Sequence, residues 1–492
     1  MADIDTPTPT PTSVPSFHVL DDTKPNDTTL PAFMVSTTRG FLPRADPIVT
    51  LPPDFSILES LLTRMPIQTL AGTPGLLAQG TLGSTVLSEL PDLSLAISKY
   101  SHNLPLMNAL YRDYSFLASA YLLEPCHLRF LNNEPYGLAR DCLPATIAKP
   151  LAKVAALAGF KPFMEYAGSY ALYNYRLADP SLGLTYSNLR LIRAFERGYD
   201  PTSSEAGFIL VHVAMVAHSP HLVLGALKVL SACERKDRDA FNEGLIEVTE
   251  ALKKINTVME EMWSKSKPAE YNSFRTFIFG IKNQSMFPKG VVYEGVCEEP
   301  MFLRGESGAN DSMIPLMDLL LQIPFPPNPL TKILHDFRLY RPSNHRHFLS
   351  HISTLSTLHS PLSFALSNSP SSSSRLYLLA LNEIRIFRYR HWSFTREYIL
   401  KRSRHGTATG GSPIVEWLPN QLGAVLGFME VVGGGGKEGE SKGVGEEGKG
   451  CEEILEVVRR QREKLAREVE RLKGERGCDG KGEKEEGGRW SC

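Results

Sequence analysis

The run Ala206-Gly-Phe-Ile-Leu-Val-His-Val-Ala-Met-Val-Ala-His-Ser-Pro-His-Leu-Val-Leu-Gly-Ala-Leu-Lys-Val-Leu-Ser-Ala-Cys-Glu234 decides the fold class. It is apolar on nearly every helical face and is interrupted only at Ser219-Pro220. A helix that is hydrophobic all round is a buried one, so other helices are expected to wrap around it. The next segment, residues 237–265, is amphipathic, with Phe241, Leu245, Val248, Leu252, Ile255 and Met259 stepping by three or four. Shorter helices are expected over 271–279, 312–323, 330–340 and 345–358, then a long one, rich in arginine and aromatics, over 376–402. Upstream, residues 103–123 and 144–159 repeat the helical spacing between proline and glycine breaks. Alternating apolar/polar runs are few. The class is all-α, with helices packed around something central.

A chain of 492 residues has room for two or three domains. Residues 1–35 are Thr/Pro-rich and read as a disordered arm. Residues 36–195 form a small, mostly helical N-terminal domain, and 196–432 a large helical one. Residues 433–492 are a Gly/Lys/Glu-rich linker and a charged helix, expected to be mostly disordered and outside the working core. Within that tail Ile454, Val457, Leu465, Val469 and Leu472 suggest a short coiled coil able to recruit a partner. The net charge of −1 gives no field for nucleic acid or an anionic membrane. No apolar run reaches the ~18 residues of a membrane span. The acidic, proline-rich start is unlike a signal peptide, and seven scattered cysteines without a CxxC suggest no disulfide framework. A cytoplasmic monomer is expected.

Several motifs carry chemistry in principle. Gly443-Val-Gly-Glu-Glu-Gly-Lys-Gly450 approaches a P-loop but lacks the Ser or Thr that holds magnesium. Gly305-Glu-Ser307-Gly-Ala309 approaches a nucleophile elbow, with Asp311 or Asp318 and then His345 downstream in hydrolase order, but no buried strand precedes it. His347 and His351 share a helix face without a third ligand and read as solvated. In Leu339-Tyr-Arg-Pro-Ser-Asn-His345-Arg-His-Phe-Leu349, a proline stops one helix and Ser343 or Asn344 can cap the next. That leaves His345 either as a histidine in a helix connection or as an axial iron ligand facing a cavity. His212, amid apolar neighbours, is either a core histidine bonded to a carbonyl or a polar group facing the same cavity. Arg275 is either paired internally or left to receive a ligand's anion. The loop Thr407-Ala-Thr409-Gly410-Gly411-Ser412 offers hydroxyls and open N–H groups that can close over a polar ligand.

Taken in order, these pieces resemble the indoleamine 2,3-dioxygenase family. They are Gly207 to His212, Arg275 with Gly280, Gly290-Val-Val-Tyr-Glu-Gly295, and Ser307-Gly-Ala-Asn with Asp318. The series continues through Tyr340 to Leu349, the Arg390-His391 to Leu400 helix, and Thr409-Gly-Gly-Ser. The resemblance covers roughly residues 36 to 432. It implies a haem b enzyme, ferrous when active, with a small domain over a large helical one that grips the haem. The implied reaction opens the indole ring of L-tryptophan with O2 to give N-formylkynurenine, the first step of the kynurenine pathway. The resemblance places the proximal iron ligand at His345, the substrate-carboxylate arginine at Arg275, and a distal histidine at His212. It places pocket walls at Phe208, Tyr271, Ser307 and, by a looser alignment, Tyr170. Thr409, Gly410 and Gly411 match the loop that closes on the substrate.

Two departures bear on turnover. Glu270 stands where the family has an aromatic residue, and a carboxylate in an indole pocket would be costly. The segment from Leu400 to Thr409 is also short. The competing readings are therefore a haem-binding paralogue with little tryptophan turnover and, more remotely, a serine hydrolase.

Overall fold

A computed structural model describes residues 16–198, 200–325, 327–367, 372–434 and 446–476. Over these the chain is helical, as its periodicity predicts. From residue 104 on, the helices of eight residues or more are α1 (Leu104–Leu131), α2 (Ala145–Ala158), α3 (Ser204–Val216), α4 (Ser219–Arg235) and α5 (Arg238–Glu260). They continue with α6 (Met313–Leu320), α7 (Pro329–Arg338), α8 (Ser343–His359), α9 (Ser372–Phe394), α10 (Ile414–Gly434) and α11 (Glu446–Glu475). The strands are short: β1 (Cys142–Leu143) pairs in parallel with β4 (Val292–Tyr293), and β2 (Tyr175–Leu177) antiparallel with β3 (Leu189–Leu191).

Local chemistry sets the helix starts. Side-chain oxygens of Asn103, Ser203, Asp237 and Asn328 accept backbone N–H bonds at the heads of α1, α3, α5 and α7. Pro220 sits in the first turn of α4, where its missing N–H costs nothing, and its presence explains the break after α3. By length and composition Ser204–Arg235 could cross a membrane, which corrects the expectation that no segment qualifies, yet 67% of its most apolar window is buried inside the fold. Its apolarity is what a central core helix pair requires.

One buried apolar cluster runs from Ala32 to Leu472, so the core is continuous across the expected division near residue 195. Two other expectations are corrected. The N-terminal arm is ordered from residue 16: Ala32, Phe33 and Val35 are buried, and the Val35 N–H donates to Asn344 Oδ1 at 2.8 Å. The tail helix α11 is also part of the body, with Val458, Leu465 and Leu472 buried against the rest of the chain. Of the apolar stripe read as a coiled-coil face, Leu465 and Leu472 are buried and Ile454 and Val469 pack against the core, while Val457 stays exposed. Residues 1–15, 435–445 and 477–492 lie outside the described residues, and with them the glycines at 443 and 445 of the P-loop-like run; residues 446–450 of that run open α11.

Candidate active site

A largely apolar chamber lies among α3, α5, α6, α9 and α10. About 190 Å³ of it is open to the centres of water-sized molecules, over ten times the roughly 10–15 Å³ a single water needs. Helix α9 gives it a whole face. Phe387, Arg388, His391 and Phe394 line it, followed by Thr395 and Tyr398 from a π-helical turn, Thr395–Leu400, that continues the helix. These positions recur every three or four residues, so the segment presents one stripe to the cavity.

His391 has no side-chain hydrogen bond among the described residues, and it lines the chamber. Burial, then the nearby His212 and Arg388, push its pKa down to about 4. The imidazole is therefore neutral at pH 7, with a lone pair available to a metal. One turn earlier, Arg388 Nη2 donates to both carboxylate oxygens of Asp318, at 2.9 and 2.7 Å. Both side chains are nearly buried, and desolvation outweighs the arginine in raising the Asp318 pKa. Arg388 Nη1 is buried without a partner. It is a donor to spare beside the chamber, suited to an anionic group of a bound cofactor.

His212 faces the same chamber from α3. Its Nδ1 lies 2.7 Å from the Phe208 carbonyl and must donate there, so Nε2 carries the lone pair. A Cβ placed on Gly308 would stand 4.0 Å from that Nε2. Burial lowers the His212 pKa, so this ring too is neutral. Aromatic walls surround it: Tyr166 meets it edge-on at 5.8 Å between ring centroids, and Phe208 at 5.0 Å. Phe208 in turn packs on Tyr271 at 5.3 Å.

Arg275 is fully buried and, among the described residues, has no carboxylate partner. Its Nη2 donates to the Thr407 carbonyl at 3.2 Å, and its guanidinium lies 4.8 Å from the centre of the Phe279 ring. Nε and Nη1 have no partner. Of the two readings of this arginine, the geometry supports the one in which it waits for an anion.

The loop 407–412 is docked. The Gly280 N–H donates to the Thr409 carbonyl at 2.9 Å, Gln284 Nε2 to that of Ala408 at 2.7 Å, and Arg304 Nη1 to that of Gly410 at 2.7 Å. Thr409 and Ser412 line the chamber. Gly410 and Gly411 do not. A Cβ on Gly410 would strike the Phe337 ring, and Gly411 sits at φ +81° against the Lys282 carbonyl, so both glycines serve the seating of the loop.

Two expected site residues, His345 and Tyr170, are placed elsewhere, and Glu270 is turned away from the site. His345 does not line the chamber. It is 1% exposed, packed edge-on by Phe33 and Phe41 at 5.7 and 5.1 Å, with Nδ1 3.1 Å from Ser312 Oγ. Its proline-capped helix start is real, but it docks the N-terminal arm, and the ring is a core histidine. Tyr170 is also core, stacked on Phe116 and Phe195, its hydroxyl donating to Glu205 at 3.4 Å. The pocket tyrosine of that segment is Tyr166, four residues earlier. Glu270 is no pocket carboxylate: it accepts from Ser204 Oγ at 2.6 Å and from Lys267 Nζ at 3.0 Å, and those bonds hold its pKa below the usual range. The helix start simply turns it outward, and Tyr271 takes the wall. Ser307 lines the chamber. It caps the turn Gly308–Asn310 with no strand before it, and His345 bonds to Ser312 instead, so no nucleophile elbow forms.

The family model described as indoleamine 2,3-dioxygenase matches residues 29–467. The indoleamine 2,3-dioxygenase nanC of Aspergillus nanangensis is 27% identical over 418 residues, covering 80% of this chain and 95% of that protein. The mouse indoleamine 2,3-dioxygenase 1 is 26% identical over 274 residues, covering 55% of this chain and 65% of its own length. A myoglobin of the abalone Haliotis madaka is 26% identical over 229 residues, 46% of this chain and 57% of that protein.

Proposed function

The chain belongs to the indoleamine 2,3-dioxygenase family, and from that premise we propose that it is a haem-dependent dioxygenase opening the indole ring of L-tryptophan to N-formylkynurenine. The observation that carries the reading is the pairing of a neutral His391, without a side-chain hydrogen bond among the described residues, with His212 in one largely apolar chamber. Among the described residues no group of three or more His, Cys, Asp or Glu stands ready to hold a metal ion. His391 is the residue that would hold the iron, whose remaining ligands would come from a macrocycle such as haem b. The spare Nη1 of Arg388 fits one of that group's carboxylates.

Bound there, haem would supply the O2 activation needed to cleave the indole C2–C3 bond with one oxygen atom on each carbon. The protein's own part is binding and exclusion. Arg275 takes the substrate carboxylate on one edge of its guanidinium, pairing an unsatisfied nitrogen with the second hydrogen of Nη2, and Thr409 offers its hydroxyl to the same polar end. Phe208, Tyr166 and Tyr271 hold the indole plane and keep water out. His212, with Nδ1 fixed as donor to Phe208, presents an acceptor at Nε2 that can take the indole N–H. The free thiols among the described residues, Cys126, Cys142, Cys233, Cys297 and Cys451, suit the cytoplasmic setting we assign it.

The abalone relative favours a second reading, a haem-binding protein without turnover, since it is named a myoglobin. One experiment tests both. The protein is purified with haem supplied, reduced, and assayed for N-formylkynurenine from L-tryptophan and O2, with His391→Ala and His345→Ala alongside. We expect product from the parent, loss of the Soret band in His391→Ala, and its retention in His345→Ala. A haem-loaded parent that shifts its spectrum with L-tryptophan but makes no product would favour the second reading. Retention of full haem by His391→Ala would overturn the ligand assignment.

A further inference from the structure

Glu306 is a carboxyl on the chamber wall with nothing opposite it. It is 4% exposed and lines the cavity, and among the described residues it has no ion pair and no side-chain hydrogen bond. Burial, and after it the like charge of Glu165, pushes its pKa up to about 8, and no positive charge among the described residues offsets them. Glu165 cannot share a proton economically, because its own oxygens already accept the N–H groups of Ala167 and Gly168. The other titratable groups that sense Glu306 are Tyr166, Tyr170 and Tyr271, none of which supplies a positive charge. A buried carboxyl so placed is costly unless a cation meets it.

The position of Glu306 relative to Arg275 narrows the choice of cation. Arg275 leads within five residues to Gly280, which packs backbone to backbone on Gly305, where any Cβ would clash. Gly280 also holds the Thr409 carbonyl. Arg275 is not itself on the chamber wall, but it bonds to the Thr407 carbonyl of the docked loop. These contacts tie the unsatisfied arginine to the loop and to the segment that carries the unsatisfied carboxyl; Tyr271 senses both charged groups. No group of three metal-ligating side chains gathers there among the described residues. A ligand carrying an anion and an organic cation on neighbouring atoms satisfies both residues at once.

We infer that Glu306 receives the α-ammonium of the substrate while Arg275 receives its carboxylate, so that the chamber selects zwitterionic indole amino acids over indoles bearing only one of the two charges. The inference rests on the dioxygenase reading above and adds a specificity-determining residue to it. Its test is a titration of the haem-loaded parent and Glu306→Gln with L-tryptophan, indole-3-propionate and tryptamine. Binding is followed by absorbance and, independently, by equilibrium dialysis. The parent should prefer L-tryptophan to indole-3-propionate. Glu306→Gln should lose about ten- to a hundredfold in L-tryptophan affinity, as for a charged hydrogen bond removed, and keep its affinity for indole-3-propionate. Equal weakening of both ligands, or none, would overturn the inference while leaving the dioxygenase reading in place. A parent that binds none of the three overturns both. Glu306→Asp, which keeps the charge, serves if Glu306→Gln fails to hold haem: it should still favour the zwitterion, and loss of that preference would count against the assignment.

Discussion

The two histidines of the haem question separate cleanly on their surroundings. His345 has Phe33, Phe41 and the Ser312 hydroxyl around it, so its replacement is a packing event. We expect His345→Ala to cost about 2–4 kcal/mol of folding stability, as large-to-small core changes do, without altering haem stoichiometry. Denaturant unfolding together with the Soret-to-protein absorbance ratio checks both halves. Arg275 should behave in the opposite way. Arg275→Ala removes a buried cation that has no internal partner, so stability should hold or rise. Transition-state binding should fall by roughly 2–4 kcal/mol, read as kcat/KM for L-tryptophan. Arg275→Lys should not restore it, because a point charge cannot reproduce two parallel N–H donors. The sequence carried the signal for His391 as well. Phe387, Arg388, His391, Phe394, Thr395 and Tyr398 fall on one helical stripe, visible in the spacing alone. What obscured it was a stronger local cue: Pro342 and the capping residues made His345 look held in place, and held it is, but towards the arm. Local rigidity in a sequence says that a side chain is fixed, not which way it faces.

Helix α11 lies along the outer side of the segment that carries His391. Glu468 accepts from Trp392 Nε1 at 2.9 Å and from Arg396, and Gln461 accepts from Arg385 Nη1 at 2.7 Å. Arg476 donates to the carbonyls of Leu400 and Ser403, at the start of the stretch leading to the substrate loop. The tail therefore buttresses α9 on both sides of residue 391. Glu468→Ala leaves the Trp392 N–H without an acceptor and the Arg396 guanidinium with only the Ser393 hydroxyl, at 3.3 Å. We expect it to destabilise the fold by about 1–3 kcal/mol and to speed haem loss to an excess of apomyoglobin. A stop after residue 434 should do more of both. Unchanged melting and haem transfer in the truncated protein would show that the helix is an ornament. Its charge and glycine-rich approach made this segment read as solvated, which was a fair inference from composition. The apolar stripe of Leu465, Val469 and Leu472 was visible, but periodicity gives a buried face without naming its partner. By contrast α3 and α4 were legible outright, since a helix apolar on all sides has only one place to go.

At the scale of the whole molecule the buried titratable groups set opposing pH limits. His127, His345 and His405 have pKa values pushed down by burial to about 4, 3 and 4, against an ordinary 6.5. Below pH 6.5 the unfolded chain binds protons that the folded one refuses, so these groups remove stability as the pH falls from 6.5 towards 3. Glu165, Glu205 and Glu306 are pushed up by burial to about 8, against an ordinary 4.5. Above pH 4.5 the folded chain keeps protons that the unfolded one releases, so these groups remove stability as the pH rises from 4.5 to 8. Between 4.5 and 6.5 four histidines, His391 included, pull against three glutamic acids and largely cancel. Above 6.5 only the glutamic acids act, each by roughly 1–2 kcal/mol on reaching pH 8. Below 4.5 the histidines act together with carboxylates whose pKa the fold lowers, such as Asp113, Asp336 and Glu468, and both remove stability as the pH falls. The haem-free protein should therefore melt at its highest temperature on a plateau between about pH 4.5 and 6.5 and lose stability on both sides. Glu306→Gln should flatten the alkaline limb, because an amide has no proton to give up. A melting temperature that keeps climbing from pH 6.5 to 8 would mean that these carboxyls are met by cations or water in solution, and the cost assigned to Glu306 in the empty chamber would fall with it.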